Sequence, residues 1–148
     1  MSRWRSFRAG PWATRRLTAE AAVWLVLAAV ALKVLPFRWI AARCGATGGP
    51  AQAVDPGIQA MPLLPQVGRA VERAARRLPL RLACLPQALA AKAMLQRRGI
   101  VSTLHLGMAL AEGRQMKAHA WLTASGVGVI GMAFRPGYTE LAGFTPPP

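Results

Sequence analysis

The chain contains no asparagine and one aspartate, Asp55, and its 148 residues hold only five acidic side chains against 19 lysines and arginines, for a net charge of +14. Cysteine is as scarce: Cys44 and Cys84 are too few for a disulfide framework, and a reducing compartment, the cytoplasm, is the simpler setting. The two histidines, His105 and His119, lie far from any paired cysteines. Zinc-ligand spacing is therefore absent, and neither a metal nor a cofactor is expected. No repeat is visible. No basic run is interleaved with aromatics as a single-strand binder needs, so nucleic acid is not the expected partner despite the charge. An acidic peptide or protein, or an anionic membrane face, suits that charge as well.

At 53% hydrophobic, the chain can build one domain with a real core. Residues 1–17 read as a basic flexible arm, and residues 18–148 as a single domain. Within it, 18–44 form a helical region, 45–65 a Gly/Pro-rich linker and 66–148 a catalytic core. Thr18 followed by Glu20 supplies a hydroxyl cap and an acid in the first turn of a helix that should stop at Pro36. Its apolar stretch "AAVWLVLAAVAL" follows a basic segment as in a signal peptide, but no small-residue cleavage site follows. The uncharged run is also shorter than the ~20 residues of a membrane span. A buried helix is the main reading, with an interfacial helix and a true anchor as alternatives. A peripheral membrane contact therefore stays open.

A short helix is expected at about 37–43 and a third at about 66–78. The third has Val67, Ala70, Val71 and Ala74 on one side and Arg69, Arg73 and Arg76 on the other. The fourth starts near Leu85 and closes on Arg97, Arg98 and Gly99, cations at its negative end and a glycine just beyond. Cys84, Ala88, Ala91 and Leu95 share one face. After Gly99 the period becomes two: "STLHLGMAL", "MKAHAWLT" and "VGVIG" predict an antiparallel meander, and the tail reads as mostly loop. The fold class is α+β, with N-terminal helices and then a cysteine-bearing helix packed on a small antiparallel sheet.

Cys84 sits at the mouth of its helix, where the positive end of the backbone dipole stabilises a thiolate. His119 follows one helix and one strand later, and a strand packed on that first turn would bring it to the sulfur. Such a pair does acyl transfer: the thiolate attacks a carbonyl and the imidazolium protonates the leaving amine. Buried packing is the alternative for each residue taken alone. The backbone N–H of Cys84 is a candidate oxyanion donor. Gln87 reads as an exposed helix residue, with an oxyanion helper as the alternative; Trp121, on the His119 face, reads as core packing, with a shield of the imidazole from water as the alternative; His105 reads as either near the site or solvated.

The ordered set "CLPQALAAKAMLQRRGI", "LHLGMAL", "KAHAWL" and "VIG" resembles the lasso-peptide biosynthesis B protein, a family with a transglutaminase-like, papain-related cysteine peptidase fold. The similarity runs from about residue 18 to 144, including the helical region ahead of the peptidase core. The resemblance implies a leader peptidase acting on a ribosomally made precursor peptide. A partner asparagine-synthetase-like cyclase would then close the macrolactam ring. Cys84 maps to the nucleophile and His119 to the base. The small leader-recognition module that some members carry at the N-terminus has no room here, which implies a separate leader-recognition protein. The family also expects an aspartate on the strand after the histidine, and the chain departs from this. Residues 120–139 hold no Asp, Glu or Asn, and "VGVIG" offers only backbone carbonyls. Glu140 and Asp55 are the nearest acids by sequence, and a carbonyl could instead hold the ring through Nδ1–H. The rival functions are a non-catalytic transglutaminase-like scaffold and a membrane-associated basic adaptor.

Overall fold

A computed structural model describes residues 11–47, 61–110 and 115–145. Helix α1 spans Pro11–Val34. It opens on a proline, whose missing N–H has no intrahelical use in a first turn. Thr18, expected as the cap, lies inside the helix: its hydroxyl donates to the Thr14 carbonyl at 2.8 Å and accepts from Arg73 at 3.3 Å. Residues 11–17, expected in the arm, are therefore helical, and residues 1–10 lie outside the described residues. Arg73 thus ties α1 to the third helix. Glu20 pairs with Arg98 at 2.7 Å and with Arg97 at 3.5 Å. The hydrogen bond from Arg98 holds the Glu20 carboxyl below its ordinary pKa.

Helix α2 spans Phe37–Cys44 and is followed by a two-residue strand β1, Ala46–Thr47, at the start of the expected linker. Residues 48–60 of that linker lie outside the described residues. Helix α3, Leu63–Arg77, buries Leu64, Val67, Ala70, Val71 and Ala74. It also buries Gly68, where an added Cβ would stand 2.0 Å from the Val129 carbonyl oxygen. The helix thus crosses the sheet backbone against backbone, an approach only glycine permits.

Helix α4, Cys84–Arg97, buries Ala88, Ala91, Met94 and Leu95. It closes as expected: Gly99 takes φ +70°, and the Ile100 N–H reaches back to the Leu95 carbonyl at 3.0 Å. The strands β2 (Thr103–Leu110), β3 (Met116–Ala124), β4 (Val127–Ile130) and β5 (Thr139–Thr145) join β1 in an antiparallel sheet of order β1-β5-β2-β3-β4. Ser125 and Gly126, both with positive φ, make the two-residue turn between β3 and β4. A 3-10 turn, Met132–Gly137, leads to β5. The tail was expected to be loop, yet β5 lies between β1 and β2. Its residues show little burial alternation, so no period-2 signal marks it.

The faces of the sheet divide as the alternation predicts. Leu104, Ala120, Leu122 and Ala124 join the core beneath the helices, continuous with Ala21, Ile40, Val67 and Leu95. His105, Gly107, His119 and Trp121 take the other face, with His105 opposite Trp121 and Gly107 opposite His119. The leucine stripe ends at Leu110, which is exposed.

Lys92 is 3% exposed, between α4 and the sheet. Its ammonium donates to the Ser102 carbonyl at 2.6 Å and to the Phe144 carbonyl at 3.5 Å. Burial lowers its pKa from the ordinary 10.5 to about 8. Below that value folded and unfolded chains both carry the proton, and the cost of burying the charge is complete. Between about 8 and 10.5 the unfolded chain binds the proton and the folded chain does not, so stability rises with pH there. Urea unfolding at pH 7.5 and 10.5 should show the protein gaining on the order of 1–3 kcal/mol relative to Lys92→Met. A parallel change in both proteins would refute the assignment.

Candidate active site

Cys84 is the first residue of α4, preceded by the extended Ala83. The chain enters the helix through Ser-poor, proline-flanked "LPLRLACLP", and Pro86 falls in the first turn, where its missing N–H costs nothing. The thiol is half-buried, and the backbone N–H of Ala120 on β3 points to its Sγ at 3.4 Å. The helix start and the strand that carries His119 are therefore in direct contact.

His119, 8% exposed, is held by the backbone: its Nε2 lies 2.8 Å from the Gly131 carbonyl oxygen. A carbonyl only accepts, so Nε2 carries the hydrogen in the neutral ring and Nδ1 bears the lone pair. Carbonyl support of the ring is thus present, but through Nε2 instead of the expected Nδ1. Gly131 ends "VGVIG" with φ +81°, and a Cβ there would stand 2.8 Å from the Ala120 carbonyl oxygen. The position that orients the ring is closed to any side chain.

Aromatic rings enclose the imidazole. Tyr138 lies 5.0 Å away, centroid to centroid, and Trp121 stacks at 6.0 Å. Trp121 also stacks on His105, at 5.3 Å and 5°. His105 is neither solvated nor in the cleft. Its Nδ1 donates to Glu140 Oε1 at 2.5 Å, and its Nε2 meets the Thr123 hydroxyl at 2.8 Å. Glu140 therefore supports His105 and not His119. Asp55, the other expected acid, lies outside the described residues.

Cys84 and His119 line one cavity of about 380 Å³, with Glu72, Gln87, Gly131 and Tyr138 among the other walls. Gln87, expected to be exposed, is half-buried there, and its side-chain amide nitrogen donates to the Leu82 carbonyl at 2.8 Å. Glu72, Gly131 and Tyr138 were not anticipated. Glu72 sits among arginines on α3, and Gly131 acts through its backbone, so neither had a sequence signal. Tyr138 is the chain's one tyrosine, and it follows a Pro-Gly pair that reads as loop.

A thiol opening a helix, packed on an antiparallel sheet whose strand supplies an imidazole to the same cavity, is an arrangement suited to a cysteine nucleophile paired with a histidine base. The chain belongs to the transglutaminase-like superfamily, whose profile matches residues 22–143. That superfamily includes cysteine peptidases and transferases. No curated protein and no solved structure matches the chain.

The two cysteines occupy contrasting environments. Cys44 is 6% exposed, and burial raises its thiol pKa. Under native conditions at neutral pH, iodoacetamide should label Cys84 at least about ten-fold faster than Cys44, since reactivity follows thiolate content and access. Peptide mapping that finds equal rates would count against the assigned chemistry. At Gly107 a Cβ would stand 2.8 Å from the Trp121 ring. Gly107→Ala should cost about 1–3 kcal/mol by overpacking. It should also shift the His119 imidazole resonances; unchanged resonances would show that the stack does not position the ring.

Proposed function

We propose that the protein is a cysteine peptidase that removes the leader from a ribosomally made lasso-peptide precursor, in the cytoplasm, with Cys84 as nucleophile and His119 as base. The observation that carries the reading is the shared cavity. The sulfur receives the Ala120 N–H, and the imidazole that lines the same cavity meets the Gly131 carbonyl through Nε2, so that Nδ1 holds the lone pair. In the reaction, His119 takes the thiol proton and the thiolate attacks the leader–core carbonyl. The imidazolium then protonates the departing amine, leaving a thioester that water cleaves. The freed core amine is the group that an asparagine-synthetase-like cyclase would consume. The implied partners are the precursor, a separate leader-recognition protein and that cyclase.

The support at Nε2 is a carbonyl dipole. In related triads, loss of the orienting carboxylate costs up to ~10⁴ in rate, so a ring held by this carbonyl alone would turn over slowly. The same feature favours the second reading, a scaffold that binds the peptide without cutting it.

The experiment is cleavage of a lasso-peptide precursor, followed by mass spectrometry, with a leader-recognition protein present. Cys84→Ala should abolish cleavage, and His119→Ala should lower it by about 10²-fold or more. Cleavage that survives Cys84→Ala would overturn the reading. Binding of the leader without cleavage by the unaltered protein would select the scaffold. A product carrying an added amine in place of water would select acyl transfer.

A further inference from the structure

Helix α1 has two apolar faces. One is packed on α3 and α4, where Ala21 and Leu25 are fully buried. The other carries Val23, Leu27, Val30 and Val34 at steps of four, three and four residues, and all are at least half exposed. Extending that stripe toward the N-terminus gives Arg16 and Trp12, both exposed. Beyond Val34, the corner into α2 adds exposed Leu35, Phe37 and Trp39. The expectation of a buried helix therefore holds for one face alone. By length and hydropathy α1 could cross a membrane. It cannot be surrounded by lipid, however, because Thr18 and Glu20 are bonded to Arg73 and Arg98 of the folded body.

The charges around this face have one sign. Arg15, Arg16, Lys33, Arg38 and Arg43 lie along α1 and α2. The one acid on these helices is Glu20, which is engaged by Arg97 and Arg98. A cavity of about 440 Å³ opens between α1, α2 and α4. Its walls include Trp24, Leu27 and Ile40, and its charged groups are Arg43, Lys92 and Arg97, all cations. An exposed aliphatic stripe with tryptophans at both ends and arginine or lysine at its flanks fits the bilayer interface. Indole rings sit at headgroup depth there, and long cationic side chains extend to lipid phosphates.

We propose that the outer face of α1 and its corner with α2 seat the protein on an anionic phospholipid bilayer, with α1 lying in the plane of the interface and the Cys84–His119 cavity left to the solvent side of the body. The affinity combines apolar insertion of the valine stripe with attraction of the basic flanks, so it depends on anionic lipid and weakens with salt. The assignment does not depend on what the cavity catalyses.

The test is co-sedimentation of the full chain with vesicles of phosphatidylcholine, with and without phosphatidylglycerol. The protein should pellet with the anionic vesicles and stay largely in the supernatant with pure phosphatidylcholine. Val23→Gln, Val30→Gln and Val34→Gln together should weaken pelleting by about ten-fold or more. These positions are exposed, so the far-ultraviolet circular dichroism should not change. Replacing Arg16, Lys33 and Arg38 with Gln should remove the preference for anionic lipid. A protein that stays in solution with anionic vesicles at low salt would overturn the proposal, as would a triple-valine variant that pellets like the parent. A soluble dimer that the valine substitutions convert to monomers would assign the face to a second copy and overturn it as well.

Discussion

The site depends on one contact, the Ala120 N–H directed at the sulfur of Cys84. It fixes the first turn of α4 against β3, and β3 carries His119 at the preceding residue. Neither partner could be displaced without moving a whole element. Helix α4 is held at its other end by Arg98 on Glu20 and along its length by alanines packed flat beneath the sheet. Small side chains at Ala88, Ala91 and Ala120 let helix and strand approach closely enough for a backbone donor to reach a side-chain sulfur. The same economy of volume recurs at Gly68, where α3 meets the backbone of β4.

At Nε2 the imidazole is oriented by a peptide dipole, at a position closed to any side chain on Gly131 itself. Gly131 turns the end of β4 with a positive φ, which aims its carbonyl at Nε2 and places the missing Cβ against the Ala120 carbonyl. A carboxylate would stabilise the imidazolium by its charge as well as by its hydrogen bond, whereas a carbonyl supplies only the second. Enclosure by Trp121 and Tyr138 compensates in part. Aromatic faces exclude water and attract a cationic ring, so protonated His119 is not left in bare hydrocarbon.

Much of this was legible in the residues, and the failures have physical causes. Proline and glycine punctuation marked the close of α4. The change from helical to period-2 spacing located β2, β3 and β4, because alternation survives wherever one sheet face is core. Strand β5 was missed because its burial pattern does not alternate and a Pro-Gly pair precedes it. The start of α1 was misplaced because Thr18, a good cap by composition, donates to Thr14 one turn back, as a threonine within a helix can. Cys84 and His119 could be singled out by residue type and order. Gly131 could not, since its contribution is a carbonyl that every residue possesses, and only its φ makes it particular.

The scarcity of acid explains how these parts fit together. Among the described residues, Glu20 is taken by Arg98 and Arg97, and Glu140 by His105. Glu72 faces the cavity itself. A chain with so few carboxylates cannot supply one to every cation, and it places them where they join elements: α1 to α4 through Glu20, and β2 to β5 through Glu140. The His105–Glu140 pair also stacks on Trp121, which in turn stacks on His119. Glu140 thus reaches the candidate base indirectly, as mechanical support through stacked rings. The cations left over gather along α1 and α2 beside the exposed valines, on the part of the fold that the core does not need.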